Sequence, residues 1–392
     1  MISLSTAYSI LLSQSLKLKT CKLPLFEAFG KILAYDVPVL RNLPAFSNSA
    51  MDGYAVSDLQ DCYKLQGSLF AGDKAQEALL PKHCIKIMTG AMIPPNAIAI
   101  IPFEQAKLEG EKIIPTHPIK ESQHIKFCGE DYKEGETLLL AGEKLDFAAL
   151  SLLASQGINE VSVYKDLKIA IFASGDELKE PWQKAQSHQT YNTNAIAYHA
   201  ILQDHGFLGD YRGILPDCKE KLGEALKDFE RYDIILTSGG VSVGEADFFE
   251  EILRENGAEI LFHGINLKPG RPMLFAKLKE SFIFSLPGNP LSGALNLITL
   301  VIPTLKKLSG NTNHQNLHIQ AKIAEDLNLK DKRSNMILGN FDGEYFSPFK
   351  GGKYGSGSLV PLKACNAIAI FDENQAKLKR GEKISILSLS PF

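Results

Sequence analysis

The fold is decided by the segment DIILTSGGVSVGEAD, residues 233–247. It opens with a short apolar run that predicts a buried strand, and a glycine-rich loop follows the strand. A helix is expected to begin near Asp247 and to continue to Glu255. Strand, loop and helix in this order form the unit from which parallel sheets are built.

The same alternation continues on both sides of this segment. Strands are predicted at residues 168–172, 213–215 and 283–286, and helices at 195–205, after Asp217 and at 290–308. Asp217 is followed three residues later by Glu220, a spacing that resembles a capping box. Regular alternation predicts a central α/β domain with a mainly parallel sheet that helices cover on both faces.

The flanking regions have a different character. Helical patterns are predicted at residues 4–16, 26–34 and 145–155, and short β-like runs separated by Gly, Pro and Asn fill the stretch between the second and third. The fold class is therefore α/β plus β domains. The predicted boundaries are 1–41 with 135–165 for a discontinuous N-terminal helical domain, 42–134 for an inserted β domain, 166–309 for the α/β domain, and 310–392 for a C-terminal β-barrel-like domain.

Composition excludes several classes of protein. The 392 residues carry 42 Lys and Arg against 45 Asp and Glu, a net charge of −3, so the basic excess that broad nucleic-acid binding needs is absent. The six cysteines form no CxxC pair, which disfavours a disulfide scaffold or a zinc ribbon. The N-terminus has no basic n-region and no apolar run approaches ~18 residues. We therefore expect a cytoplasmic protein with no membrane or nucleic-acid partner.

Three loops are predicted at the carboxyl ends of the strands, where ligands bind in open α/β sheets. They are Ser174-Gly175-Asp176-Glu177, the glycine-rich loop after Ser238, and Pro287-Gly288-Asn289-Pro290. Backbone amides in such loops can approach an anion, although each loop alone is equally well explained as a tight turn. Neither a P-loop nor a GxGxxG motif is present.

Charged residues accompany these loops. Carboxylates are expected at the same edge of the sheet (Asp176, Glu177, Asp217, Glu245 and Asp247), and a hard cation such as Mg²⁺ would reconcile them with an anionic ligand. Helix capping is the alternative explanation for Asp176, Asp217 and Asp247. Lys268-Pro-Gly-Arg271-Pro places two cations in a stiff loop that suits a tetrahedral oxyanion, whereas the alternative is a solvated surface loop.

Seven motifs follow one another in a characteristic order: SAMDGYAV (49–56), MTGA (88–91), GED (129–131), SGDEL (174–178), SGGVSVGEAD (238–247), KPGRP (268–272) and LPGNP (286–290). On these motifs the chain resembles the MoeA family of molybdopterin molybdenumtransferases, which includes the E domain of gephyrin. The resemblance covers nearly the whole chain and is weaker after Gly310. It implies an elongated homodimer of four-domain subunits.

The resemblance also implies an activity. Adenylylated molybdopterin and molybdate would react in a Mg²⁺-dependent step that yields the molybdenum cofactor and AMP. The cleft would lie between the α/β domain of one subunit and the inserted β domain of its partner. Transient contacts with other proteins of molybdenum cofactor synthesis are implied as well.

The family's functional positions map onto this chain residue by residue. The implied catalytic residues are Asp52, Thr89, Asp131, Glu177, Asp217, Asp247, Lys268 and Arg271. The implied ligand-binding residues are Ser174, Gly175, Ser238, Gly239, Gly240, Pro287, Gly288, Asn289, Pro290, Arg333 and Ser356. Asp247, with Asp217 or Glu177, would hold Mg²⁺. Arg333 and Ser356 would help to bind molybdate, and Asp52 and Thr89 would close the site from the partner subunit.

Three departures from the family pattern bear on function. The basic tract before Gly129 retains only Lys126, Ile98 replaces a frequent acid, and Leu338-Gly339 replaces an Arg-Gly pair. Lysine does not reproduce the bidentate contacts of arginine. A non-catalytic, molybdopterin-binding or scaffold paralogue is therefore the alternative function. A molybdopterin adenylyltransferase is a third hypothesis, disfavoured because that activity needs only the α/β domain.

Overall fold

A computed structural model describes residues 1–74, 77–215, 219–239, 246–329 and 332–389. For helical residues 219–222, 224 and 246–248 the description is of the backbone alone. The chain divides into two compact units. The first unit comprises Met1–Ala34, Gly142–Asp146 and Val161–Phe392, and the second comprises Tyr35–Ala141 and Phe147–Glu160. The predicted four-domain boundaries stay a prediction.

The core of the first unit is a six-stranded sheet. Its strands lie in the order Gly209–Leu215, Ile169–Ser174, Ile234–Ser238, Ser281–Leu286, Leu274–Leu278 and Glu259–His263. The first four are parallel, with Ile171 opposite Leu236 and Leu236 opposite Phe284, and this confirms the mainly parallel sheet. The strand Leu274–Leu278 pairs antiparallel with both of its neighbours, Ser281–Leu286 and Glu259–His263. The sequence pattern did not predict this antiparallel edge of the sheet.

Helices cover both faces of this sheet, as predicted. They are Asn194–Asp204, Lys219–Phe229, Ala246–Glu255 and the long Pro290–Leu308, whose middle turn, Leu297–Val301, is π-helical. Alternate residues of one strand face opposite sides because side chains in a strand alternate. Ile169 and Ile171 pack into one apolar cluster, whereas Ala170 and Phe172 pack into another.

One helical stretch is long and apolar enough to cross a membrane by length and composition. It is Pro290–Leu308, and 89% of its apolar window is buried inside the fold. A helix that is apolar on all sides is expected in the core of a large domain, because every face contacts other residues. The described residues contain no second stretch of this kind.

The N-terminal segment adds one helix, Leu4–Ser13, whose first turn is capped by the Ser3 hydroxyl as it accepts a hydrogen bond from the Thr6 amide. The second predicted helix, at residues 26–34, is wrong. Only the 3₁₀ turn Leu25–Glu27 forms there, because Gly30 adopts φ +76° and Ile32 and Leu33 form β-bridges. The strand Thr20–Pro24 pairs with Glu160–Tyr164, and Leu178–Lys179 pairs with Thr190–Tyr191.

The C-terminal part of the first unit is a closed barrel sheet, in agreement with the predicted β-barrel-like domain. Its strands lie in the order Leu267–Lys268, Ser334–Phe341, Tyr345–Pro348, His318–Ile323, Lys383–Ser388 and Ala367–Phe371. The last strand also pairs with Ser334–Phe341, which closes the sheet. Smaller elements complete it: the strands Leu327–Asn328 and Lys377–Leu378, the 3₁₀ turn Phe349–Gly352 and the helix Val360–Ala364.

The second unit is built mainly of strands. Its six-stranded sheet has the order Ala99–Pro102, Gly53–Val56, His83–Ile87, Tyr63–Leu69, Lys112–Pro115 and Ala106–Glu109. Two small ladders join Asn48–Ser49 to Ile125–Lys126 and Val37–Pro38 to Thr137–Leu139. The helix Phe147–Ser155, which confirms the third helical pattern, and the 3₁₀ turn Phe103–Gln105 complete this unit.

Candidate functional site

The carboxyl ends of the parallel strands border a cavity of about 530 Å³, which we call the strand-end cleft. This volume lies within the range of about 300–1,000 Å³ that small-molecule sites occupy. The cleft brings together nine of the residues that the sequence assigned to the site: Ser174, Gly175, Glu177, Ser238, Gly239, Pro287, Gly288, Asn289 and Pro290. Asp176 is exposed and does not line it.

Gly239 allows the middle loop to lie against the neighbouring strand end. It adopts φ +90°, and a Cβ atom there would be 2.6 Å from the Ser174 carbonyl oxygen. Its amide donates a hydrogen bond of 3.0 Å to the Leu286 carbonyl. A side chain at this position would therefore push apart two of the loops that border the cleft.

Asn194 joins the three elements that meet at the cleft, and sequence reasoning missed it. This buried side chain, in the first turn of the helix Asn194–Asp204, donates from Nδ2 to the Ser238 Oγ at 2.5 Å and to the Gly288 carbonyl at 2.8 Å. Its Oδ1 atom is buried without a hydrogen-bond partner among the described residues. A polar residue at a helix start after a strand is the signal that could have identified it.

A second cavity, of about 280 Å³, contains the cations that the sequence singled out, and we call it the basic pocket. Lys268, Arg271, Arg333 and Ser356 all line it. Lys268 and Arg271 are exposed, whereas Arg333 is half-buried. The pocket forms because Leu267–Lys268 pairs in parallel with the barrel strand that begins at Ser334, so that two regions distant in sequence share one ladder.

The strand-end cleft and the basic pocket are neighbours. Pro272 and Asn289 line both of them, so the two cavities are contiguous. A cleft bordered largely by loop residues therefore adjoins a pocket with three cationic side chains. This arrangement can hold one large ligand and a second, small anion side by side.

The buried Asn296 and the half-buried Tyr354 fix the basic pocket. The Asn296 Nδ2 donates a hydrogen bond of 2.9 Å to the Gly270 carbonyl, and a Cβ at Gly270 would lie 2.1 Å from the Asn296 Oδ1. The Tyr354 hydroxyl accepts a hydrogen bond of 2.6 Å from the Leu338 amide. Burial raises the pKa of Tyr354 to about 12, so its phenol is neutral at physiological pH. The motifs pointed to neither Asn296 nor Tyr354.

Three assigned residues lie in the second unit. The Thr89 amide and hydroxyl both donate to the Asp52 Oδ1 at 2.7 Å, and these two hydrogen bonds lower the pKa of the Asp52 carboxyl. The exposed Asp131 carboxylate lies 3.7 Å from the Lys126 ammonium. The structure thus pairs Asp52 with Thr89, and it pairs Asp131 with Lys126, the cation that the tract before Gly129 retains.

Two departures from the family pattern occupy apolar surroundings. Ile98 packs against the cluster that contains Val56 and Tyr63. Leu338 is fully buried in the cluster that the barrel shares with the α/β domain. An ionised side chain at the position of Leu338 would be buried, which is costly without a partner, so an apolar residue suits this environment.

The predicted magnesium ligands are described only in part. Asp217 and Gly240 lie outside the described residues, as does Glu245, and of Asp247 only the backbone position in the helix Ala246–Glu255 is described. Glu177 is exposed and lines the strand-end cleft. Within the described ranges no three His, Cys, Asp or Glu side chains cluster closely enough to hold a metal. Glu177 offers a carboxylate, which is the type of ligand that Mg²⁺ prefers. Because the other predicted ligands are described only in part, the magnesium site stays a prediction.

Comparisons with known proteins show which families and structures the chain is similar to. Residues 2–157 match the family model of the MoeA N-terminal region (domain I and II), and residues 170–307 match a probable molybdopterin binding domain. The chain is 36% identical to the molybdopterin molybdenumtransferase of Haemophilus influenzae, over 98% of each chain. It is 28% identical to gephyrin of Dictyostelium discoideum, over 95% of this chain and 60% of that protein. The MoeA protein of Pyrococcus horikoshii has a similar fold, with a TM-score of 0.85, 29% identity and coverage of 99% and 100%.

Proposed function

Because the chain belongs to the MoeA family of molybdopterin molybdenumtransferases, enzymes of molybdenum cofactor biosynthesis, we propose that it inserts molybdate into adenylylated molybdopterin and releases AMP. The observation that carries this proposal is the contiguity of the strand-end cleft and the basic pocket, which share Pro272 and Asn289. The reaction joins a large ligand that bears phosphates to a small oxyanion. Two adjoining cavities of different size and charge suit that pair of substrates.

The strand-end cleft would receive the larger substrate. Loop backbones at Gly175, Gly239 and Gly288 can approach phosphate oxygens closely. The buried Oδ1 of Asn194 has no hydrogen-bond partner among the described residues and can accept a hydrogen bond from a donor group on a ligand in this cleft. Asn194 is therefore added to the ligand-binding residues assigned from the sequence.

The basic pocket would receive molybdate. Guanidinium groups at Arg271 and Arg333 and the Lys268 ammonium can neutralise a tetrahedral dianion, and the Ser356 hydroxyl can donate to one of its oxygens. A molybdate oxygen held beside the cleft can attack the adenylyl phosphorus, and the phosphate of molybdopterin then leaves as the phosphoanhydride bond breaks. AMP is released when the bond between its oxygen and molybdenum breaks and the molybdenum passes to molybdopterin. No nucleophilic side chain is then required, and the protein contributes positioning and charge stabilisation.

Mg²⁺ is part of this proposal. Glu177, Asp217 and Asp247 would hold the ion, which, when bound, would neutralise charge on the adenylate phosphates. Glu177 already lines the strand-end cleft, and the helix that contains Asp247 follows the middle strand of the parallel sheet. Of the three, Glu177 follows a strand end at the edge of the sheet where the cleft lies.

A homodimer completes the proposed site. Asp52 and Thr89 would close the cleft from the partner subunit, with the Thr89 hydrogen bonds holding Asp52 ionised and in a fixed orientation. A cytoplasmic location fits a biosynthetic enzyme and is part of the same proposal, as are transient contacts with other proteins of molybdenum cofactor synthesis.

The function is tested by incubating the purified protein with adenylylated molybdopterin, molybdate and Mg²⁺ and measuring AMP by chromatography. The proposal predicts that AMP and active cofactor form in equal amounts, and that omission of molybdate or Mg²⁺ stops both. The scaffold alternative, which is favoured by the single Lys126 in a tract that is usually basic, predicts binding of molybdopterin without AMP release. That result would overturn the transferase proposal.

A further inference from the structure

Residues 190–194 line the strand-end cleft and lead into the helix Asn194–Asp204. We call this segment the asparagine wall, because Asn192 and Asn194, its two buried residues, both line the cleft. The Asn194 Oδ1, which has no hydrogen-bond partner among the described residues, is the atom through which the wall can accept a hydrogen bond from a ligand. Its position therefore depends on how the start of the helix is held.

A buried carboxylate that the functional motifs do not include contacts the asparagine wall. It belongs to Glu180, which is only 9% exposed. The Glu180 Oε1 accepts a hydrogen bond from the Tyr211 hydroxyl, and its Oε2 accepts a longer one, of 3.5 Å, from the Asn192 Nδ2. Burying a carboxylate costs free energy that such hydrogen bonds must offset, so Tyr211 and Asn192 are held firmly against it.

The hydrogen bonds that meet at Glu180 run in one direction. An ionised carboxylate accepts hydrogen bonds and donates none, so the Tyr211 hydroxyl is the donor. Burial, together with this hydrogen bond and the charge of Glu180, raises the pKa of Tyr211, so the phenol keeps its proton. Because that proton is committed to Glu180, the Tyr211 oxygen accepts from the Asn192 Nδ2, at 2.8 Å. The Asn192 Oδ1 accepts in turn from the Ala195 amide, at 3.2 Å, in the first turn of the helix.

This chain of hydrogen bonds fixes the orientation of the Asn192 amide. If the amide were reversed, its Nδ2 would face the Ala195 amide, and two donors would meet. The backbone amide of Asn192 also donates to the Lys179 carbonyl, at 2.8 Å, and so attaches the asparagine wall to the segment that contains Glu180. The start of the helix is therefore held from Glu180 through Tyr211 and Asn192.

We propose that Glu180 and Tyr211 act through Asn192 as positioning residues for the large ligand of the strand-end cleft. The inference rests on the proposed function, because that ligand is the adenylylated molybdopterin assigned there. Neither Glu180 nor Tyr211 lines the cleft, so their effect on the ligand is indirect. They hold the first turn of the helix, and with it the Asn194 Oδ1, in the position where a ligand can donate to it.

The test measures the dissociation constant of adenylylated molybdopterin by isothermal titration calorimetry, with Mg²⁺ and without molybdate, so that binding is separated from turnover. Tyr211→Phe removes the hydroxyl and keeps the ring, and Glu180→Gln keeps the size of the side chain and removes its charge. Tyr232→Phe is the matched control. The Tyr232 side chain is also half-buried and its hydroxyl donates to the Asp210 carboxylate at 2.6 Å, but it does not line the cleft or contact the asparagine wall.

We expect Tyr211→Phe and Glu180→Gln each to weaken the affinity at least about fivefold, the effect of one lost hydrogen bond. The double variant should bind about as weakly as Tyr211→Phe alone, because both residues act through one chain of contacts. Tyr232→Phe should leave the affinity unchanged.

Thermal unfolding reports whether each variant is folded, and Glu180→Gln carries the test if Tyr211→Phe is not. An unchanged affinity in a folded variant, an equal loss in Tyr232→Phe, or losses that add in the double variant would overturn the proposal, as would no binding by the original chain. The expected pattern of affinities without AMP release would support the positioning role and refute the transferase proposal alone.

Discussion

At the scale of single residues, Gly239 is the position where the backbone most directly shapes the candidate site. Gly239→Ala should lower the free energy of unfolding and reduce AMP release, because the added Cβ meets the Ser174 carbonyl oxygen at 2.6 Å. Gly213→Ala is the matched control, since Gly213 has φ +98° and nothing lies within 4 Å of a Cβ there.

Both variants carry the strain of a positive φ, about 1 kcal/mol, and Gly239→Ala should lose at least about 2 kcal/mol because of the clash. Urea denaturation followed by circular dichroism measures the two losses. If Gly239→Ala and Gly213→Ala lost the same stability and the same activity, the close approach of the loops at Gly239 would affect neither property.

The hydrogen bonds between Thr89 and Asp52 make a second prediction at this scale. In Thr89→Val the carboxyl loses one of the two donors that lower its pKa, so the pKa of Asp52 should rise towards its ordinary value of about 4. The stabilisation from this pair is present above that ordinary value and is lost as the pH falls through the lowered pKa of the folded state. NMR titration of the Asp52 carboxyl measures the change.

Thr116→Val provides the comparison, because the Thr116 hydroxyl contacts His117 and not Asp52. The Asp52 titration should be the same in this variant as in the original chain. A Thr89→Val protein with an unaltered Asp52 titration would contradict the assigned cause of the shift.

At the scale of elements, Asn194 ties the start of one helix to two loops. Asn194→Ala removes hydrogen bonds to Ser238 and Gly288, so we expect a loss of about 2 kcal/mol in stability and a higher KM for adenylylated molybdopterin. Asn366→Ala removes two hydrogen bonds to the backbone of Phe341 within the barrel. It should lose similar stability without a change in KM, and a KM that is equal in the two variants would refute a role for Asn194 in the cleft.

The elements differ in how well the sequence predicts them. The strand Ile234–Ser238 and the helix Asn194–Asp204 were predictable because their apolar residues follow the period of each element and a glycine ends the helix. The helix predicted at residues 26–34 failed because pairing with distant residues overrides local propensity there. The strands Leu274–Leu278 and Glu259–His263 were not predicted, because periodicity alone does not distinguish a short apolar strand from a segment of buried helix.

At the scale of the whole molecule, one apolar cluster joins three parts of the first unit. It contains Leu4 and Leu11 of the first helix, Leu300 of the long helix, and Leu338 and Ile368 of the barrel. Leu338→Ala should therefore cost about 2–5 kcal/mol, the usual range for a buried leucine. The exposed Leu208→Ala should cost little.

Hydrogen exchange followed by mass spectrometry shows how far that loss spreads. In Leu338→Ala, peptides that cover Pro290–Leu308 and Ala367–Phe371 should both exchange faster, because one cluster stabilises both. Faster exchange in the barrel peptides alone would mean that the α/β domain and the barrel are independent in stability.

The site shows a similar division between what local sequence encodes and what only folding reveals. The loops at Ser174, Ser238 and Pro287 could be assigned to one sheet edge because parallel strands place their ends together. The basic pocket could not be derived this way, since Lys268 and Arg333 become neighbours through a strand pairing of high sequence separation. The family resemblance implied Arg333 and Ser356, but only the fold shows that they share a pocket with Lys268.

The most direct test of the account is whether the basic pocket binds the molybdate that reacts in the neighbouring cleft. Steady-state AMP release is measured against molybdate concentration for the original chain, for Lys268→Gln, and for Lys353→Gln, an exposed lysine that does not line the pocket. The account predicts that kcat/KM for molybdate falls at least about tenfold in Lys268→Gln, because a charge partner of the oxyanion is removed, and stays unchanged in Lys353→Gln. An unchanged kcat/KM in a folded Lys268→Gln protein would contradict it.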